Sequence, residues 1–270
     1  MKRKNLASLF SAICVLPLFA AGSVSAATLL EYWDFESDSA GDGLVNISNS
    51  GSLGSTWNFN TTTQNDESDG AGLFVLSGDS GNFTRKLPKA GTTNANAGTD
   101  FYASPFTTGT YLVEISFDSW SADAASVGDT WKLGINDSAG NAIAQLIWDV
   151  DSTSSTRLRA STTTAGGSAF RTLGSFGLSN STATTVGVEF DFDNDTVRYL
   201  LNGAEQYLFT DFNGTDIGQM LYVKNGDGTS DWATSATSVS IDSMGLSAIP
   251  EPTAALLGGL GFLALLRRRR

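Results

Sequence analysis

VGVEFDFDNDTVRYLLNG, residues 186–203, decides the fold. Val186, Val188, Phe190 and Phe192 alternate with small or acidic residues, and after Asp193-Asn194-Asp195 the alternation resumes at Val197, Tyr199 and Leu201. A period of two is that of a strand with one face on a core. Asp-Asn-Asp is turn chemistry, because these short side chains fold back onto nearby backbone amides, and Asn202-Gly203 supplies a second turn that tolerates positive φ. Gln206-Tyr207-Leu208-Phe209 follows, so residues 184–210 read as an antiparallel three-strand meander.

The same period recurs on either side. Tyr111, Val113, Ile115 and Phe117 form one set, and Trp131, Leu133 and Ile135 another. Shorter candidates are Leu29–Phe35, Leu73–Ser77, Phe83–Leu87, Ala142–Trp148, Phe170–Leu173, Met220–Val223 and Ser238–Leu246. The Ser/Thr-rich stretches 152–156 and 161–164 read as loops. Only Pro88 and Pro105 interrupt residues 27–247, and no capped amphipathic helical period occurs there. The expected fold is all-β, a two-sheet antiparallel sandwich forming one domain over residues 27–247.

The two ends differ from this interior. Lys2, Arg3 and Lys4 precede an apolar run over 6–21 and the small residues GSVSAAT, the layout of a secretory signal peptide over 1–26 with cleavage after Ala26. The chain closes with IPEPTAALLGGLGFLALLRRRR, residues 249–270. Pro250 and Pro252 prevent a helix running in from the domain, and the apolar run 253–266 is expected to form a short helix. At 1.5 Å per residue that helix is about 21 Å long, short of the roughly 30 Å hydrocarbon core unless the terminal arginines snorkel. Arg267, Arg268, Arg269 and Arg270 would hold its end on the cytoplasmic side, leaving the domain outside.

Composition removes several chemistries. Cys14 is the only cysteine and lies in the leader, and histidine is absent, so thiol nucleophiles, disulfides, His ligands and Ser-His-Asp catalysis are excluded from the mature chain. Of the 16 basic residues three lie in the leader and four in the tail, leaving 9; of the 28 acidic residues only Glu251 lies beyond 249, leaving 27 and a net charge of −18. Such a surface repels phosphate backbones, so nucleic acid is not an expected partner, and divalent cations are the class it favours.

Two resemblances follow. LLEYWDFES, VGVEFDFDNDTVRYLLNG and VSIDSMGLSA are similar to the first strand, a central hairpin and the last strand of concanavalin A-like and laminin G-like jelly rolls. That likeness implies a jelly-roll sandwich of extracellular type, in which a sheet face or rim loops bind glycans and some members cleave them. The end of the chain resembles the PEP-CTERM sorting tail of Gram-negative bacteria: Pro250-Glu251-Pro252, a short apolar span, then arginines. This second resemblance implies transient insertion in the inner membrane through residues 248–270, processing by an exosortase, and delivery to the cell surface or exopolysaccharide matrix.

Within the domain three constellations could carry function. Glu189-x-Asp191-x-Asp193 resembles the E-x-D-x-E signature of retaining β-glucanases, with Asp at the position of the acid/base Glu; a catalytic reading would use Glu189 and Asp193, whose carboxyls would have to stand about 5–5.5 Å apart. Asp191, Asp193 and Asp195 begin a D-x-D-x-D calcium pattern, and Asn225, Asp227 and Asp231 form a second oxygen-rich loop, so calcium is the one cofactor these residues suggest. Glu114, Asp118 and Trp120 share one face if the strand at 111 continues, while Arg157 and Arg159 point together from another strand. Trp120 between two serines is expected to be partly exposed, and Trp148 and Trp232 to lie near loops. A glycan-binding surface protein is the leading reading. A glycan hydrolase or lyase and a self-associating structural module stay open beside it.

Overall fold

The computed structural model describes residues 27–43, 46–55, 67–76, 83–87, 102–225 and 237–250. The leader 1–26, the span 253–266 and the arginines 267–270, together with Glu251, Pro252, Asp227, Asp231 and Trp232, lie outside the described residues. Among the described residues fifteen strands form. In chain order these are β1 Thr28–Trp33, β2 Glu67–Ser68, β3 Phe74–Leu76, β4 Phe83–Leu87, β5 Thr110–Ser121, β6 Thr130–Asn136, β7 Ala142–Ser152 and β8 Ser155–Thr164. There follow β9 Gly167–Gly177, β10 Ser179–Asn180, β11 Thr184–Asp191, β12 Thr196–Leu201, β13 Ala204–Phe209, β14 Gln219–Asn225 and β15 Ser238–Ile249. The one helical element among them is a 3-10 turn, Ala124–Ser126, capped by Asp123.

The strands pair antiparallel into two sheets, the jelly-roll sandwich expected from the alternation. One sheet runs β13-β12-β11-β5-β15-β3-β2, with β1 also on β15 and β10 also on β5; the other runs β4-β14-β6-β7-β8-β9. The meander is present as read, since β11 pairs β12 and β12 pairs β13. Cross-strand rows carry the core: Leu246, Val113, Val188 and Tyr199 lie side by side in the first sheet, and Trp131, Trp148 and Leu158 in the second, all fully buried. Each such side chain contributes about 1.5–3 kcal/mol by leaving water, and the two sheets bury one another's apolar faces.

Three expectations need correction. The stretches 152–156 and 161–164 are not both loops, because Ser155–Thr164 is a ten-residue strand. Thr156, Leu158, Ala160, Thr162 and Thr164 alternate into the interior, and the three threonine hydroxyls donate to the carbonyls of Gly177, Ile143 and Gly167, respectively. β-Branched residues that bond locally fit a pleated surface as well as Val does. The last strand also runs past the expected Leu246 to Ile249.

The third correction concerns Trp120. Phe117 pairs with Ile241 and Ser119 with Ser240, so Asp118 is an extra residue on β5; Ser116 pairs with Ser243, so Asp242 is a matching extra residue on β15. A bulge of this kind reverses the side-chain alternation beyond it. Trp120 therefore turns inward, with 3% of its surface exposed, where alternation from Leu112 would have put it outside.

Candidate functional site

The outward face of β7, β8 and β9 gathers the features a ligand could use. Opposite the buried row of Trp148 and Leu158, the outward positions pair as Gln145 with Ser161 and Ser161 with Phe170, Ile147 with Arg159, and Asp149 with Arg157. Thr163 pairs with Ser168 one step further along. β8 and β9 are joined through a tight turn in which Gly167 has φ 108°, a conformation that only glycine adopts without strain, and this turn sets the register that brings Ser168 and Phe170 beside β8.

Charge on this face is internally matched. Asp149 accepts from Arg157 through Nε at 3.3 Å and Nη2 at 3.0 Å, and also from Arg159 Nη2; Arg157 Nη1 reaches Asp151 at 2.6 Å. The bond to Asp149 raises the Arg157 pKa above its ordinary value, whereas burial lowers that of Arg159. The Arg159 guanidinium carbon lies 4.5 Å from the centroid of the Phe170 ring, a cation–π contact that fixes a side chain still 42% exposed.

Beside Phe170 the sheet surface holds a depression of about 230 Å³ lined by Gln145, Ser161, Thr163, Ser168 and Phe170 together with Thr162 and residues 142–144. A second, of about 320 Å³, adjoins it across Ile143, Thr163 and Ser168 and reaches Asp137, Asn141, Asn213 and Gly214. Among the described residues, the side chains of Gln145, Ser161, Thr163 and Ser168 donate to and accept from no protein group. Phe170 and these four polar residues were not singled out from the sequence. The signal was present, since placing Leu158 and Ala160 inside forces Arg157, Arg159, Ser161 and Thr163 outside.

The residues expected to bind glycan do not form one site. Arg157 and Arg159 share the outward face of the six-stranded sheet, while Glu114 and Asp118 belong to β5 of the other sheet. Trp120 lies between the sheets, its indole N–H donating to Thr156 Oγ1 at 2.9 Å and its ring edge-on to Phe117 and Phe176. Trp148 is likewise core, mid-strand against Trp131, and not a loop residue. Glu114 pairs across β5 with Gly187 and Gly245, is half-buried, and burial raises its carboxyl pKa. The folded state thus favours the protonated acid, and the ionised form costs stability as pH rises above the unfolded value of about 4.3. Glu114→Gln is expected to raise the thermal midpoint at pH 7 and to give no such gain at pH 3; an equal shift at both would show that burial of charge is not the cause.

The carboxylate series beginning at Glu189 is also dispersed. Glu189 pairs with Arg198 at 3.0 Å, and Arg198 also reaches Glu205 at 3.4 Å. β11 ends at Asp191, so Asp193 sits in the turn and not on the strand face, accepting from the Gly109 amide at 3.0 Å. Asp191 closes the turn, its oxygens accepting from the amides of Asp193 and Asn194 and from Asn194 Nδ2. Asp191, Asp193 and Asp195 therefore do not converge, and among the described residues no group of three or more acidic side chains is placed to hold a metal ion. Of the other loop, Asn225 ends β14, and Asp227 and Asp231 fall outside the described residues.

No family model matches the chain, and no curated protein matches it. Solved structures share the architecture. The botulinum neurotoxin serotype D binding domain is 9% identical with a TM-score of 0.50, over 85% of this chain and 49% of that one. The carbohydrate recognition domain of Emp47p is 12% identical (TM-score 0.44; 81% of this chain, 97% of that one), and an alginate lyase from Alteromonas sp. 272 is 8% identical (0.41; 60% and 77%). At these identities the likeness is one of fold.

Proposed function

We propose that this chain is an exported, non-enzymatic glycan-binding protein of a bacterial surface or exopolysaccharide matrix. The carrying observation is the outward face of β7–β9, where an exposed aromatic ring stands beside polar side chains with no protein partner. Ligand sites combine apolar area with a few placed polar groups in this way, and a sugar ring presents the complement of both. Export and sorting rest on sequence: the leader 1–26 and the tail 248–270, whose Pro250-Glu251-Pro252, apolar span and Arg267–Arg270 resemble a PEP-CTERM signal read by an exosortase. In this reading the tail inserts transiently in the inner membrane, is cut near Pro-Glu-Pro, and leaves the sandwich to act outside.

Two measurements test these halves separately. In a Gram-negative host carrying an exosortase, changing Pro250, Glu251 and Pro252 to alanine is expected to leave the chain at its unprocessed mass in the membrane fraction, while the wild type reaches the surface shortened. Equal processing of both would overturn the sorting half. Co-sedimentation of the exported chain with extracellular polysaccharide tests the binding half, which fails if the chain stays entirely in the supernatant.

A further inference from the structure

We propose that the depression beside Phe170 takes an uncharged pyranose chain, with Phe170 as its stacking platform and Gln145, Ser161, Thr163 and Ser168 as its hydrogen-bonding partners. This rests on the glycan-binding reading and adds the site and the ligand class. The side chains lining the depression include no charged group. Of the two arginines on this face, Arg157 is held by Asp149 and Asp151, and Arg159 gives Nη2 to Asp149 and packs on Phe170, its buried Nε having no hydrogen-bond partner among the described residues. Neither side chain lines the depression, so a uronate or sulfated sugar seated there has no cation in the lining to pair with. The wider domain, net −18 over residues 27–249, repels polyanions as well.

What remains at the surface is neutral and two-sided in hydrogen bonding. Hydroxyls and an amide both donate and accept, as do the equatorial hydroxyls of a pyranose, whereas a carboxylate accepts only. The apolar C–H face of such a ring fits the exposed Phe170 surface, and Arg159 holds that ring in place before ligand arrives, which lowers the ordering cost of binding. The adjoining depression, whose lining adds the Asp137 carboxylate to Asn213 and Gly214 and so disfavours an acidic sugar, continues the track past Thr163 and Ser168, so the ligand is a chain of at least two sugars and not a single one.

The test is affinity electrophoresis of the full-length chain through gels holding a neutral glucan, mannan or galactan, and in parallel a polyuronate. Retardation is expected in at least one neutral polysaccharide and not in the polyuronate, falling at least tenfold in Phe170→Ala and several-fold in Ser161→Ala/Ser168→Ala. Arg198→Ala, on the other sheet, serves as the folded control. Phe170 is exposed, and an unchanged thermal midpoint shows that its loss acts on binding. If the chain binds neutral glycan and Phe170→Ala is without effect, the site is wrong while glycan binding stands. If only the polyuronate retards it, the ligand class is wrong. Retardation by none of them would overturn the glycan-binding reading itself.

Discussion

Trp120→Ala is expected to destabilise the domain by about 3–5 kcal/mol, the range for truncating a buried aromatic to leave a cavity. Trp120 is 3% exposed and touches both sheets: Phe117 from its own side, Phe176 and Thr156 from the other. Removing it empties the space between them and strips the Thr156 hydroxyl of a donor, although that hydroxyl still bonds the Gly177 carbonyl at 3.0 Å. For a domain of this size each kcal/mol moves the midpoint by roughly 2–4 °C, so a drop on the order of 10 °C follows. Trp120→Phe keeps most of the ring contacts and loses the indole hydrogen bond, worth about 1 kcal/mol, so it should fall between wild type and alanine. Denaturant unfolding of the three full-length proteins measures this. A loss under about 1 kcal/mol for alanine, of the size seen for surface substitutions, would mean that Trp120 does not occupy the core.

The Trp120 case also shows where sequence reading stops. Alternation located β5, β6, β11 and β12 because each carries a run of apolar residues on one face, whereas β13 was read from the Asn202-Gly203 turn before it. It failed at Trp120 because one inserted residue, Asp118, inverts the phase, and a bulge is visible only through the partner strand that lacks the extra residue there. It failed again at β8, where Thr156, Thr162 and Thr164 serve as core residues and composition alone looks like a loop. The pairing of Arg157 with Arg159 was legible, since both sit on one side of a period of two. Their partner was not: Asp149 lies on the next strand, and its side chain is 6% exposed although it occupies an outward position. The separation of Glu189 from Arg157 was hidden for the same reason. Which strand joins which sheet is decided by packing between segments far apart in the chain, and no local pattern records it.

Asp149→Asn is the second large effect. The carboxylate receives three guanidinium bonds from two arginines, and the isosteric amide keeps the volume while removing the charge that balances them. Arg157 retains Asp151, at 37% side-chain exposure, but Arg159 is 19% exposed and would keep its charge with no anion bonded to it. Breaking a buried ion pair by removing one member costs about 3–5 kcal/mol, and partial exposure of the arginines places this case near about 2–4 kcal/mol. If the cost arises from the stranded cation and not from lost packing, then adding Arg159→Met should recover at least half of it, because Met fills similar space without charge. The double variant also separates stability from recognition. It restores the fold while removing the cation from beneath Phe170, so ligand binding should stay weakened even where the midpoint returns. Denaturant unfolding of the single and double variants, read beside affinity electrophoresis, measures both. A single-variant cost below about 0.5 kcal/mol would class the cluster with solvent-screened surface pairs. Full recovery of binding in the double variant would show that Phe170 holds its place without Arg159.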